Sequence, residues 1–332
     1  MARTDRVLLI ALAVLLLSLL ANFCLGASGV TVGQIAGAIF RGDRQSVAAR
    51  IFLYVRLPRA LAAMLAGSAL AVAGLLLQKV LRNPLAAPSI IGINSGAGLC
   101  ALIAMALLPS LTALAPFAAF AGALLAAFAV YLLARLTGAS KSTIVLAGVA
   151  VNSLLGAAMD AIVTIVPDAA VSRSAFSIGG FANVTMRQLG FALPFWIAGL
   201  LIALIFQREL QLMSLGDDVA QSLGLHAERF RAAFLIAAAM LAGAAVSFAG
   251  LVGFVGLITP HMTGLLCKND TRLQTPIAAV FGAALCLVCD LIARTAFAPY
   301  ELPVGIVLSF LGAPFFLYLL FRQKKRSRHD AT

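Results

Sequence analysis

The chain has 332 residues, 62% hydrophobic and 11% charged, with a mean hydropathy of +1.05. A soluble domain carries about 25% charged residues, so no water-soluble core can hide this much apolar surface; the apolar runs have the length of helices, not of barrel strands. The net charge of +12 would suggest nucleic acid in a soluble chain, but here Lys and Arg fall mostly between apolar runs, where they set orientation, and no nucleic-acid partner is expected.

At the N-terminus, Arg3 and Arg6 precede an apolar run from Val7 to Leu20 that imitates a signal peptide. The many later spans favour an uncleaved first helix. Cys24 follows Asn22 and Phe23 rather than small residues, which argues against a lipoprotein signal. The sequence predicts an all-α polytopic membrane protein, a single transmembrane domain over 1–332. Its ten spans are placed at 7–27, 57–81, 90–108, 111–134, 143–166, 189–206, 232–250, 252–266, 275–297 and 303–321. The run from Ala232 to Leu266 is too long for one helix; Gly250, Gly253 and Gly256 allow it to break, and Pro260 disturbs the eighth span.

The positive-inside rule orients these spans. With the N-terminus in the cytoplasm, 16 of the 24 Lys and Arg residues lie inside and 8 outside, so both termini are expected to be cytoplasmic. The outer group from Arg41 to Arg59 runs against the rule. Between the second and third spans, QKVLRNPLAAPSIIGINSG (78–96) carries Lys79 and Arg82 on the cytoplasmic side. Pro84 and Pro88 there stop one helix and keep the chain extended before the next.

AAMLAGSALAVAGL (62–75) matches AAMLAGAAVSFAGL (238–251) at 10 of 14 positions, an offset of 176 that also pairs Pro84 with Pro260. In this topology the second span runs inward and the seventh outward, so the repeat is expected to be inverted.

Catalytic chemistry is missing. TGASKST (137–143) fails the phosphate-loop pattern, and neither HExxH nor GxSxG occurs. Cys286 and Cys289 form a CxxC inside the ninth span and read as small packing residues; no metal site is expected. His226 and His261 are isolated in sequence. Asp160 lies in the fifth span, and Asp290 and Arg294 lie four apart in the ninth, where an intramembrane ion pair is expected. So few intramembrane carboxylates argue against an ion-gradient transporter. In the polar segment 207–231, Asp217 and Asp218 suit a helix first turn, Gly224 suits its end, and Ala220 with Leu223 suits a plug for a partner's groove.

Taken together, RLPRALAAMLAG (56–67), AGLLLQKVLRNPLAAPSIIGINSGAG (73–98), LAGVAVN (146–152), SLGDDVAQSLG (214–224), GLVGFVGLITPH (250–261) and DLIARTAFAPYELPVGIVLSFLGAPFFLYLL (290–320) resemble the FecCD-type permeases of type II ABC importers for iron-siderophores, haem and cobalamin. The resemblance implies a ten-helix, non-catalytic permease of the bacterial inner membrane, paired with a second copy or a close paralogue. It implies two ATP-binding subunits, which use ATP and Mg, on the cytoplasmic face, and a substrate-binding protein outside. The cargo would be a metal chelate, a ferric siderophore before haem or cobalamin.

The same resemblance implies site residues. ATPase coupling falls on Leu215, Gly216, Asp217, Asp218, Ala220, Leu223 and Gly224, within the coupling loop 207–231. Binding-protein docking falls on Arg56, Arg59 and Arg294, and a cytoplasmic gate on Leu85, Ser142 and Thr143. The chain departs from the family pattern at Phe176, at Gly179–Gly180, at Gly264 and at KNDTR (268–272).

Overall fold

A computed structural model describes residues 3–25, 30–40, 42–43, 45–107, 114–136, 141–267 and 273–329. Among the described residues the regular structure is helical. α1 (Arg3–Cys24) is followed by the short α2 (Val32–Phe40) and α3 (Val47–Ile51). A π-helical turn, Phe52–Arg56, leads without a break into α4 (Leu57–Leu81). Then come α5 (Ile93–Leu107), α6 (Ala115–Leu136), α7 (Lys141–Ile165), α8 (Ala169–Ile178) and α9 (Met186–Ile205). α10 (Gln207–Leu215), α11 (Asp217–Ser222), α12 (Ala227–Ala249), α13 (Val255–Cys267), α14 (Gln274–Thr295) and α15 (Val304–His329) complete the chain. Seven of these helical segments are long and apolar enough to cross a membrane, and α5, α13 and the apolar part of α15 are shorter apolar helices. The ten expected spans overlap these helices, and the second, expected at 57–81, lies within a continuous helix from Val47 to Leu81. α2, α8, α10 and α11 are additional helices between them.

α4 is the centre. It is buried along nearly its whole length and packs against α12, α13 and α14. Small residues make this possible. A methyl group added at Gly67 would strike the Gly282 carbonyl of α14, and one added at Gly74 would strike the Gly256 carbonyl of α13. Lipid is as apolar as a helix surface, so helices in a bilayer associate through close contact and not through hydrophobic exclusion. Cys286 lies against Gly67, and Cys286 and Cys289 are both buried and free, as packing residues would be. On the far side of α4, Trp196 Nε1 of α9 donates to Ser68 Oγ at 2.9 Å.

The eighth span forms in spite of Pro260. Proline lacks an N–H, so the carbonyl four residues back, at Gly256, loses its intrahelical donor. Gln78 of α4 supplies one, its Nε2 donating to Gly256 O at 3.1 Å. The preceding break is at Gly250 (φ +66), which caps α12, and Gly256 lies inside α13.

The repeat diverges within its own matched segment. Residues 62–73 and 238–249 are both buried helix, and α4 packs on α12. Gly74 then continues α4, whereas its counterpart Gly250 turns left-handed and ends α12. Pro84 sits in a turn while Pro260 sits inside α13.

Three non-helical stretches meet beside α8, at 179–185, 250–254 and 296–303. Their backbone groups are satisfied across the junction: Gly180 N–H donates to Ala249 O and Leu251 N–H to Phe176 O, both at 2.8 Å. A bilayer tolerates irregular backbone only under such conditions.

Gly74→Val should reduce the detergent-solubilised thermal midpoint, because the overpacking costs about 1–3 kcal/mol and faces a backbone carbonyl that cannot rotate away. Gly190→Ala, a helical site with open space around it, should be neutral or slightly stabilising in the same measurement.

Candidate functional site

The charged cluster lies at the N-terminal end of α4. Arg59 Nε donates to both carboxylate oxygens of Asp290, at 3.1 and 3.0 Å, and its Nη1 donates to Glu301 at 2.6 Å. Arg56 donates to the carbonyls of Phe23, Cys24 and Val30 at 2.7, 3.2 and 3.2 Å, holding the end of α1. Arg294 Nη2 donates to the backbone and side-chain oxygens of Asn22 at 2.8 and 3.0 Å, and its Nε stands 3.9 Å from Asp290. Asn22 in turn donates to Leu287 O at 2.9 Å.

Arg56, Arg59 and Arg294, the residues expected at the docking surface, are 3%, 7% and 4% exposed within a single chain, and each donates to groups of its own chain. They clamp α1, α4, α14 and the 296–303 segment together, and Arg59 is a nearer partner of Asp290 than Arg294 is. Arg50 of the expected outer group remains exposed, as does Arg187 at the start of α9; Arg41 and Arg44 lie outside the described residues.

At the other end of α4, about 35 Å away at 1.5 Å per residue, lies the 207–231 segment. α11 begins at Asp217, as the carboxylates suggest, and Asp217 Oδ2 accepts from Arg231 of α12 at 2.7 Å. It ends in a Schellman turn: Gly224 (φ +82) donates to Gln221 O and Leu225 donates to Ala220 O, both at 2.9 Å. Ala220 is fully buried inside the chain, so it cannot form part of a plug for a partner. The residues turned outward are Leu215, Val219 and Leu223, exposed by 59%, 44% and 60%, with Asp218 beside them. Val219 and Leu223, four apart on α11, form one apolar ridge; Leu215 ends α10 on the other side of Gly216. Val219 was missed in sequence, although the i, i+4 spacing was there to find.

The turn after α4 carries Leu85, 36% exposed, whose N–H donates to Asn83 Oδ1 at 2.9 Å. Asn152 of α7 fastens the rest of this turn: its Nδ2 donates to Ser89 O at 2.8 Å, and Ser95 Oγ donates to its Oδ1 at 2.7 Å. Thr143, on the same helix, is half-buried; the side chain of Ser142 and the KNDTR stretch lie outside the described residues. Asn152 closes the LAGVAVN block, and its role could not be read without the fold.

α7 is mostly uncovered by its own chain. On this helix Asp160 pairs with Arg173 of α8. Nearby, a cavity of about 620 Å³ is lined by Asn94, Ser177, Leu251, Ser309, Phe310 and Pro314, among others. Among the described residues, no group of three His, Cys, Asp or Glu side chains could hold a metal ion. His226 takes the position before α12, and His261 stacks edge-on to Phe315.

Residues 13–322 match the FecCD transport family. The chain belongs to that family. It is 38% identical over 282 residues to the hemin transport system permease protein HmuU of Yersinia pestis, covering 83% of this chain and 84% of that one. It is 39% identical over 325 residues to the achromobactin transport system permease protein CbrC of Dickeya dadantii, covering 95% and 91%. A solved structure described as an inward-facing conformation of a metal-chelate type ABC transporter superposes with a TM-score of 0.83 at 26% identity, covering 96% of this chain and 99% of that one. This FecCD chain is therefore a multi-pass, non-catalytic membrane permease of a bacterial ABC importer for iron chelates, haem or cobalamin.

Arg59→Ala strands Asp290 as a buried, under-compensated charge and should cost about 3–5 kcal/mol, read as a large fall in thermal midpoint. Glu301, 39% exposed, should cost no more than about 1 kcal/mol as Glu301→Gln. A stable Arg59→Ala with weakened binding-protein affinity would instead restore Arg59 to a docking role.

Proposed function

We propose that this FecCD permease imports a ferric siderophore as one half of a dimer, of identical chains or with a paralogue, with both termini and 207–231 in the cytoplasm. Ten helices span the bilayer, and the inverted repeat is confined to 62–73 and 238–249. Two ATP-binding subunits, which bind ATP and Mg, dock on the ridge of Val219 and Leu223 and on Leu215. The observation that carries the coupling role is this ridge, an apolar stripe left uncovered on a short helix whose other face is anchored. Asp217, Gly216 and Gly224 shape the helix, and Asp218 edges its contact surface.

Outside, a substrate-binding protein meets the exposed Arg50 and Arg187, charges that steer and orient docking. Leu85 with Ser142 and Thr143 closes the inner mouth, where an apolar side chain excludes water. A ferric siderophore is the first reading, favoured by the likeness to CbrC, an achromobactin transport permease. Haem is the second reading, favoured by the likeness to HmuU; cobalamin is the third.

Proteoliposomes containing the chain, its ATPase and its binding protein should take up radiolabelled iron as a siderophore complex only with hydrolysable ATP, and should not take up haem. Uptake of haem alone would move the assignment to the second reading. Uptake by this chain without the ATPase, driven by a proton gradient, would overturn the coupling scheme. Leu223→Asp should abolish co-purification of the ATPase while leaving thermal stability unchanged, because Leu223 contacts little within its own chain.

A further inference from the structure

We propose that Arg82 is a positioning residue that transmits the placement of α11 to the turn carrying Leu85. This rests on the reading of α11 as the ATPase contact and of Leu85 as the inner gate. Arg82 closes α4 in a left-handed conformation (φ +50, ψ +36), its N–H donating to Lys79 O at 3.3 Å while Asn83 N–H donates to Gln78 O at 3.1 Å. Helices that end this way favour glycine, because a Cβ is strained there. Among the described residues, Phe254 is the only other non-glycine with positive φ.

What the arginine side chain adds is a contact. Its guanidinium lies over Gly216: a methyl group placed on Gly216 would stand 3.2 Å from Arg82 Nη1 and 3.7 Å from its Cζ. Gly216 is the joint between α10 and α11, at φ +127 and ψ +157, a region of backbone space that is in practice glycine's alone. The Asp217–Arg231 bond ties α11 to α12, and the Arg82 guanidinium, at the end of α4, packs beside the Gly216 joint. Beyond Arg82 the chain is short and stiff. Asn83 accepts from Leu85 N–H across Pro84, whose ring fixes φ. Any rotation of α11 about Gly216 presses on the guanidinium, and the left-handed cap passes that displacement to a turn three residues long.

Arg82→Gly separates this role from helix capping, since glycine relieves the backbone and deletes only the contact. Arg82→Gly in the reconstituted complex should keep or raise the thermal midpoint, retain the ATPase and keep basal ATP hydrolysis within about twofold. Substrate moved per ATP should fall by at least about fivefold, the lower end of ordinary allosteric coupling. Arg82→Ala should show the same loss of yield with a lower midpoint. Wild-type yield in Arg82→Gly would reduce Arg82 to a helix cap and overturn the inference alone. If Leu223→Asp left both the ATPase and transport intact, the reading of α11 would fall first, and this inference with it.

Discussion

Everything in this permease depends on how closely α4 is approached by its neighbours. A bilayer offers no apolar gain for bringing two apolar helices together, so the gain must come from contact at backbone distance. Gly67 against Gly282 and Gly74 against Gly256 supply it. Because α14 and α13 sit that near, polar groups on α4 reach targets that longer side chains at the interface would have kept away. Gln78 reaches the Gly256 carbonyl that Pro260 leaves open, and Arg59 reaches Asp290.

The two ends of α4 then do different work. One end is a buried charge cluster, in which three arginines, Asp290, Glu301 and several carbonyls are bonded together. Buried charge of this kind is costly to strip of its partners, which favours one fixed arrangement of α1, α4 and α14. The other end is light: a left-handed Arg82, a glycine joint and an exposed ridge, with few buried contacts to hold α11. A rigid end beside a lightly held one suits a part that must respond to a partner without unpacking its own core.

Much of the helical plan was legible in the sequence. Long apolar runs have one solution in lipid, because every backbone N–H and C=O must be bonded within the segment; the second span, expected at 57–81, ends where its helix ends, although that helix begins ten residues earlier, at Val47. The helix at Asp217 and its end at Gly224 were legible too, since capping depends on local residue types. The repeat was less reliable. A shared Ala-Gly pattern records what packs closely, but whether Gly74 or Gly250 breaks its helix is decided by the neighbours of each. Which way a side chain faces could not be read from the sequence. Ala220 looked suited to a partner and is buried; Arg56 and Arg59 looked like an outward charge cluster and turn inward.

Composition and apolar run length alone therefore determined a helical membrane protein and roughly where its apolar helices fall, because burial in lipid is a constraint on each segment by itself. The blocks of family-like residues extended this to the kind of transporter. Only the tertiary structure decided the partners of Arg59, the donor for Gly256, the anchoring of the Leu85 turn by Asn152 and the contact between Arg82 and Gly216. These join positions as many as 242 residues apart, and a pairing across that separation is set by the packing of whole helices, which no local pattern encodes.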